Sequence, residues 1–214
     1  MIVAIDGPAG VGKSTVAKRV AETLDFYYLN SGNFYRVITL AHIRSGELLA
    51  DTDKLIDIAR DANIAIVNSR ICLDSRDVED GLHTDAVDEW VAQHSAVVEV
   101  RHLVNAKLRE ATREIDSVIE GRDIATVVYP DAEVKVYMDA SVKVRARRRF
   151  LQGTSTKSLA EIADNIAMRD NIDRNKAEGS LSVAEGALYL DTSDLTIDEV
   201  CDRVIRKIQE AELV

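Results

Sequence analysis

Residues 7–14 read Gly7-Pro8-Ala9-Gly10-Val11-Gly12-Lys13-Ser14, an unbroken match to G-x-x-x-x-G-K-[ST]. The chemistry open to such a run is the binding of a polyphosphate. Its glycines let the chain bend until backbone N–H groups face anionic oxygens. A helix starting near Lys13 would turn the positive end of its dipole to the same oxygens. Lys13 is expected to reach the β- and γ-phosphates of a nucleoside triphosphate, and the Ser14 hydroxyl to ligate Mg²⁺. Thr15 either adds a hydroxyl near the α-phosphate or is an ordinary helix residue. Asp6, just before the cradle, either orients Mg²⁺-bound water or hydrogen-bonds the loop.

A second set of charged residues follows later in the chain. Arg145, Arg148 and Arg149 are spaced i, i+3 and i+4 and so share one helix face. Arg148 and Arg149 are expected to neutralise a transferring phosphoryl group, and Arg145 to bind the triphosphate. In the next helix Leu159, Ile162 and Ile166 form an apolar stripe that continues as Arg169, Asp173 and Lys176. A solvated face would put its charges opposite the stripe, so Arg145, Arg148, Arg149, Arg169, Asp173 and Lys176 either point into a cleft or form a plain solvated face. The connection 151–158, LQGTSTKS, has the composition of a mobile lid. Signals for an acceptor lie in SGNFYR (31–36), at Arg101 and in EGRD (120–123). Arg36, Arg101 and Arg122 are each suited to a phosphate or a base carbonyl. Arg122-Asp123 directly follows an expected strand and is either functional or a salt bridge anchoring the loop.

These groups need a scaffold, and the hydrophobic pattern supplies one. Strands are expected at 2–5, 26–30, 117–121, 133–140 and 187–193. Helices are expected over Lys13–Leu24, Phe34–Ser45, Asp51–Ala62, Thr84–Glu114 (one or two), 141–151, 158–175 and 196–211. Residues 65–74 alternate around Asn68-Ser69 and read as a β-hairpin in an insertion. Strands separated by helices imply an α/β fold with a parallel sheet covered on both faces, ligands sitting at the strands' carboxyl ends.

Composition narrows the function classes. The 214 residues suit one sizeable domain. Net charge is −10, yet Ser141–Ala177 holds nine basic residues against four acidic. A basic island on an acidic chain suits a small polyphosphate in a cleft better than a nucleic acid. No run of eighteen apolar residues exists, so no membrane span is expected, and MIVAIDG is too short for a signal peptide. Cys72 and Cys201 lack metal-site spacing and read as buried thiols of a cytoplasmic protein. The four histidines show no ligand spacing, and Trp90 reads as core. A GTPase's base-reading N-K-x-D is missing, because Asn175-Lys176 runs on into Ala177-Glu178. A small-acceptor kinase is the class that remains.

GPAGVGKST, SGNFYR, EGRDIATVVYPDA, VRARRR and RDNIDRNK, in this order, resemble the bacterial cytidylate kinases of the nucleoside-monophosphate kinase fold. The stretch from Gly121 to Ala132 is the most specific of these. The resemblance runs along essentially the whole chain. It implies a three-layer P-loop fold with a five-stranded parallel sheet, the core at about 1–33, 84–145 and 177–214. It also implies an acceptor-binding insertion at about 34–83, with the hairpin at 63–83, and a helical lid at about 145–176. It implies transfer of the γ-phosphoryl group of MgATP to CMP or dCMP by a cytoplasmic monomer. Ser31, Tyr35 and Arg36 would contact CMP, Arg36 through its phosphate. Arg101 and Asp123 would read the cytosine edge. Arg122 and Arg169 would bind phosphate and neutralise transition-state charge, and Asp173 would hold the ribose. The chain departs from the family at Ala125, where Gly is usual, and at Lys176, where Arg is usual and whose sugar or phosphate contact is therefore open. It departs also at Ala92 for Ser and Leu108 for Gln. The rival readings are another small-acceptor kinase (for UMP, AMP or shikimate) and a regulator or nucleic-acid binder that uses ATP as a switch.

Overall fold

A computed structural model describes residues 1–67, 70–151, 153 and 157–213. The elements in chain order are β1 (Ile2–Asp6), α1 (Lys13–Leu24), β2 (Tyr27–Asn30), α2 (Ser31–Ser45), α3 (Thr52–Asp61), β3 (Ile64–Val67), β4 (Arg70–Leu73) and β5 (Arg76–Asp77). They continue with α4 (Asp85–His94), α5 (Val98–Ala111), β6 (Ser117–Gly121), β7 (Val134–Asp139), α6 (Val142–Leu151), α7 (Leu159–Arg174), β8 (Leu188–Asp191) and α8 (Ile197–Glu212). Contacts divide the chain into two compact units, one of Met1–Leu29 with Ile115–Val214 and one of Asn30–Glu114.

The first unit is built on the parallel five-stranded sheet, in the order β2-β6-β1-β7-β8. Its central strand β1 runs parallel to β6 on one side and β7 on the other, with Asp6 opposite Gly121 and Tyr137. Val3, Ile5, Val118, Val134 and Val136 are fully buried, as near-continuous apolar strands of a covered parallel sheet must be. Helices α1 and α8 pack on these strands through Val16, Val20, Val204 and Ile208. Capping boxes start α7 at Ser158 with Glu161 and α8 at Thr196 with Glu199. Helix α7 lies on α6 through Ile162 and Ile166 against Ala146. Leu159, expected in the same stripe, is exposed. Residues 152 and 154–156 of the connection 151–158 lie outside the described residues.

The second unit holds α2 to α5 and a three-stranded antiparallel sheet, β3-β4-β5. The hairpin pairs Ile64 with Leu73 and Val67 with Arg70, while Asn68 and Ser69, the expected turn, lie outside the described residues. The third strand was not legible, because two residues cannot establish an alternation. The stretch 84–114 is two helices, α4 and α5. It clusters with residues 30–83. Helix α2 begins at Ser31, three residues before the expected start. The buried pair His42 and His94 packs ring to ring at 5.2 Å between α2 and α4, while His83 and His102 are exposed.

Candidate active site

The loop between β1 and α1 has the bend its glycines permit. Gly7 has φ +151°, and a Cβ there would sit 2.1 Å from the Met138 carbonyl oxygen, so no other residue fits. Gly12 caps α1 in the left-handed region at φ 99°. Lys13 is buried, and its Nζ donates to the carbonyl oxygens of Gly7 (2.8 Å) and Pro8 (2.9 Å). Burial pushes its pKa down to about 7; the cation of Arg122 lowers it further, and Glu120, Asp6 and Asp173 oppose the shift. These groups therefore share one electrostatic environment at the carboxyl ends of β1 and β6. Glu120 is itself buried and accepts from the Tyr28 hydroxyl at 2.7 Å. Within the acceptor signal EGRD it has no separate role by sequence, because it sits within the strand rather than after it.

Of its two alternatives, Asp6 shows the loop contact. Its Oδ1 accepts from the N–H of Ile124 (2.9 Å) and its Oδ2 from that of Ala125 (2.8 Å), so both oxygens serve the loop. The acceptors hold a single π-helical turn, Ile124–Val128, an element without a periodic signature. Arg122 and Asp123, the latter buried, lie between the end of β6 and that turn. Ala125, one of the departures, thus uses only its backbone here and places its methyl in the interior.

The basic helices separate into distinct roles. Arg145 is buried and bonds all round: Nε to the Ala140 carbonyl (2.8 Å), one terminal nitrogen to the Ala9 carbonyl (3.0 Å), and both terminal nitrogens to Asp170 (3.1 and 2.6 Å). In this structure its contacts are to protein groups. Arg148 donates to the Val11 carbonyl (3.3 Å) and to the hydroxyl (3.1 Å) and carbonyl (2.6 Å) of Thr192. In the structure it braces the cradle. Arg149 is exposed, and Arg169 half-buried near Asp173. Asp170 and Thr192 were overlooked; the signal for Asp170 was its place three residues before Asp173, on the same helix face.

Asp173 is buried between two cations. Oδ2 accepts from Arg122 Nε and Oδ1 lies by Lys176 Nζ, both at 3.0 Å. Burial would raise its carboxyl, but Arg122 and Lys176 outweigh burial and hold it below the ordinary carboxylate range. The buried face of α7 runs from Ile162 and Ile166 to Asp170 and Asp173, while Leu159 is exposed and Lys176 lies beyond the last helical residue, Arg174.

Within the second unit, Arg36 lies 2.7 Å from Asp88 and donates to the Leu82 carbonyl at 2.8 Å. Arg101 is buried, donates to the Ser95 carbonyl at 3.0 Å and lies over the Tyr35 ring at 5.6 Å. The Tyr35 hydroxyl donates to Asn105 at 3.3 Å, and Ser31 is buried at the start of α2. Ala92 is half-buried, and Leu108 is fully buried where a glutamine would need partners.

Ser14 and Thr15 are exposed at the first turn of α1. Among the described residues no cluster of three His, Cys, Asp or Glu side chains could hold a metal ion. One open hydroxyl beside a phosphate cradle fits Mg²⁺ that arrives with a nucleotide and keeps most of its waters.

Comparison with known proteins gives the same direction. The cytidylate kinase family model matches residues 3–210. A cytidylate kinase of Borreliella burgdorferi (strain ZS7) is 41% identical over 212 residues, 97% of this chain and 96% of that protein. One from Caldanaerobacter subterraneus subsp. tengcongensis is 39% identical, covering 97% and 94%. Among solved structures, a shikimate kinase from Bacteroides thetaiotaomicron superposes with TM-score 0.51 at 12% identity, over 100% of this chain and 99% of that one. A gluconokinase from Sinorhizobium meliloti 1021 gives TM-score 0.51 at 12% identity, over 98% and 93%. Those two likenesses speak for the fold alone. Among the described residues no helix is long and apolar enough to cross a membrane.

Proposed function

Because the chain belongs to the cytidylate kinase family, we propose that it converts ATP and CMP or dCMP to ADP and CDP or dCDP, with Mg²⁺ accompanying the triphosphate. It is an ATP-dependent phosphotransferase. An oxygen of the acceptor's phosphate attacks the γ-phosphorus, the bond from that phosphorus to the β,γ-bridging oxygen breaks, and ADP leaves. The attacking oxygen is already anionic, so no general base is required. Catalysis is then positioning and charge neutralisation. Mg²⁺, held through Ser14 and the phosphates, would supply positive charge to the β- and γ-oxygens.

Lys13 would move from the Gly7 and Pro8 carbonyls to the phosphates, exchanging two neutral acceptors for anionic ones. Arg122 and Arg169 would face the transferring group, and exposed Arg149 would add charge from α6. Asp173 would take the ribose hydroxyls, with Lys176 keeping it ionised. Asp123 would accept from the cytosine 4-amino group. Arg101 would donate to N3 and O2, and Ser31, Tyr35 and Arg36 would hold the acceptor's phosphate end. A monomer in the cytoplasm belongs to the same proposal, and the two free buried thiols, Cys72 and Cys201, suit it.

The observation that carries the reading is the cradle with a buried Lys13 beside Arg122 and Asp173. The test measures ADP formation with MgATP and CMP, dCMP, UMP, AMP and GMP in turn, for the wild type and Asp123→Ala. Turnover on CMP and dCMP that collapses in the variant supports the assignment. Preference for another acceptor rejects the cytosine-reading role while leaving the phosphate chemistry intact.

A further inference from the structure

We propose that Arg145 and Asp170 form a positioning pair that sets the peptide orientation of the phosphate cradle, so that helix α7 governs how tightly the cradle grips a nucleotide. The inference rests on the reading of Gly7–Ser14 as the ATP site.

Cations hold four carbonyls of that loop. Lys13 takes those of Gly7 and Pro8, Arg145 that of Ala9 and Arg148 that of Val11. In a trans peptide the C=O and the following N–H point in opposite directions. Lys13 is to leave its two carbonyls for the phosphates, so the lasting hold is that of Arg145 and Arg148 on Ala9 and Val11, which directs the N–H groups of Gly10 and Gly12 away from those two cations. Outward carbonyls and inward amides are what an anion cradle requires, since one reversed peptide would present an oxygen to the phosphates.

Arg145 can do this only if its guanidinium is fixed. The base of the side chain packs close to the loop backbone: a Cβ on Gly10 would come 3.5 Å from the Arg145 Cβ. Its fork closes on both oxygens of Asp170, which is 3% exposed and so offers little to solvent. Asp170 is also one helical turn from Asp173, which is tied to Arg122 and Lys176. Helix α7 is thus anchored twice by carboxylates on one face, once toward the cradle and once toward Arg122. A shift of α7 along its axis would move the Arg145 fork and tilt the Ala9 peptide.

The test compares wild type, Asp170→Asn and the double variant Arg145→Met/Asp170→Leu. MgATP affinity is measured by calorimetry without acceptor, melting temperature without nucleotide, and KM for ATP and CMP in the coupled assay. Asp170→Asn is expected to raise the ATP dissociation constant and KM about tenfold, with a smaller change in KM for CMP. It also leaves a buried cation without its counter-charge and lowers the melting temperature. The double variant removes both charges, so the melting temperature recovers while ATP affinity stays low. A purely structural pair would recover both together, and that result overturns the proposal. Should the double variant not fold, Asp170→Asn decides by itself: wild-type ATP affinity overturns the proposal, and lost affinity with near-normal KM for CMP supports it. A wild type that does not bind MgATP would sink the ATP-site reading instead.

Discussion

Asp6 accepts a hydrogen bond from the backbone N–H of Ala125 at 2.8 Å, and so joins the end of β1 to the turn that follows β6. The residue before the phosphate cradle thereby holds the segment bearing Arg122 and Asp123. The bond crosses 119 positions of sequence and is closed by the β1–β6 register, which sets Asp6 opposite Gly121.

The carboxyl of Asp6 should make stability depend on pH. Burial raises its pKa from 3.8 to about 6, against the two backbone hydrogen bonds that favour the ionised form. An acid with a raised folded pKa binds its proton more tightly when folded. Its contribution to stability is complete below 3.8 and is lost as pH rises through about 6. Asp6→Asn should flatten the stability profile across that window by up to one proton, about 1.4 kcal/mol per pH unit. Urea unfolding at several pH values measures it. An unchanged slope would mean that Asp6 does not titrate there.

Removing Asp173 should cost more than removing either of its partners. Asp173→Asn removes the carboxylate that Arg122 and Lys176 share, an expected loss of about 3 kcal/mol. Lys176→Met leaves the Arg122 contact in place and should cost less. Chemical denaturation of both variants checks the order, and a costlier Lys176→Met would show that the lysine holds something besides Asp173. The ion pairs keep the folded carboxyl below its ordinary range, so they stabilise above pH 3.8 and are lost as pH falls through the depressed value.

Lys13 separates stability from function. Its ammonium is buried against two carbonyls, and desolvation is the first cause of its lowered pKa. Lys13→Met should lower turnover about a thousandfold. It should not lower the melting temperature without nucleotide, because a buried cation is replaced by an apolar chain of similar length. MgATP at about a hundred times its dissociation constant should stabilise the wild type by about 2.7 kcal/mol and the variant less. A variant that melts far below wild type would assign Lys13 a structural role.

The phosphate cradle, the five core strands and the helices between them were legible in the sequence because their causes are local. Eight contiguous residues contain the glycines, the lysine and the hydroxyl that a phosphate loop needs, and apolar periodicity marks each strand and helix within its own span. The resemblance added the order of the remaining motifs. Tertiary structure alone decided what each charge does. Arg145, Arg148 and Arg149 share a face and a side-chain type, yet one is sealed against Asp170, one braces Val11 and Thr192, and one is exposed. Their difference depends on how deep each sits and on which carboxylate or carbonyl an element 25 or more residues distant brings to it. Asp6 holding the π-turn, the two-residue third strand and the grouping of α4 and α5 with residues 30–83 are of the same kind. Burial and long-range hydrogen bonding are properties of the packed chain, and no local spacing encodes them.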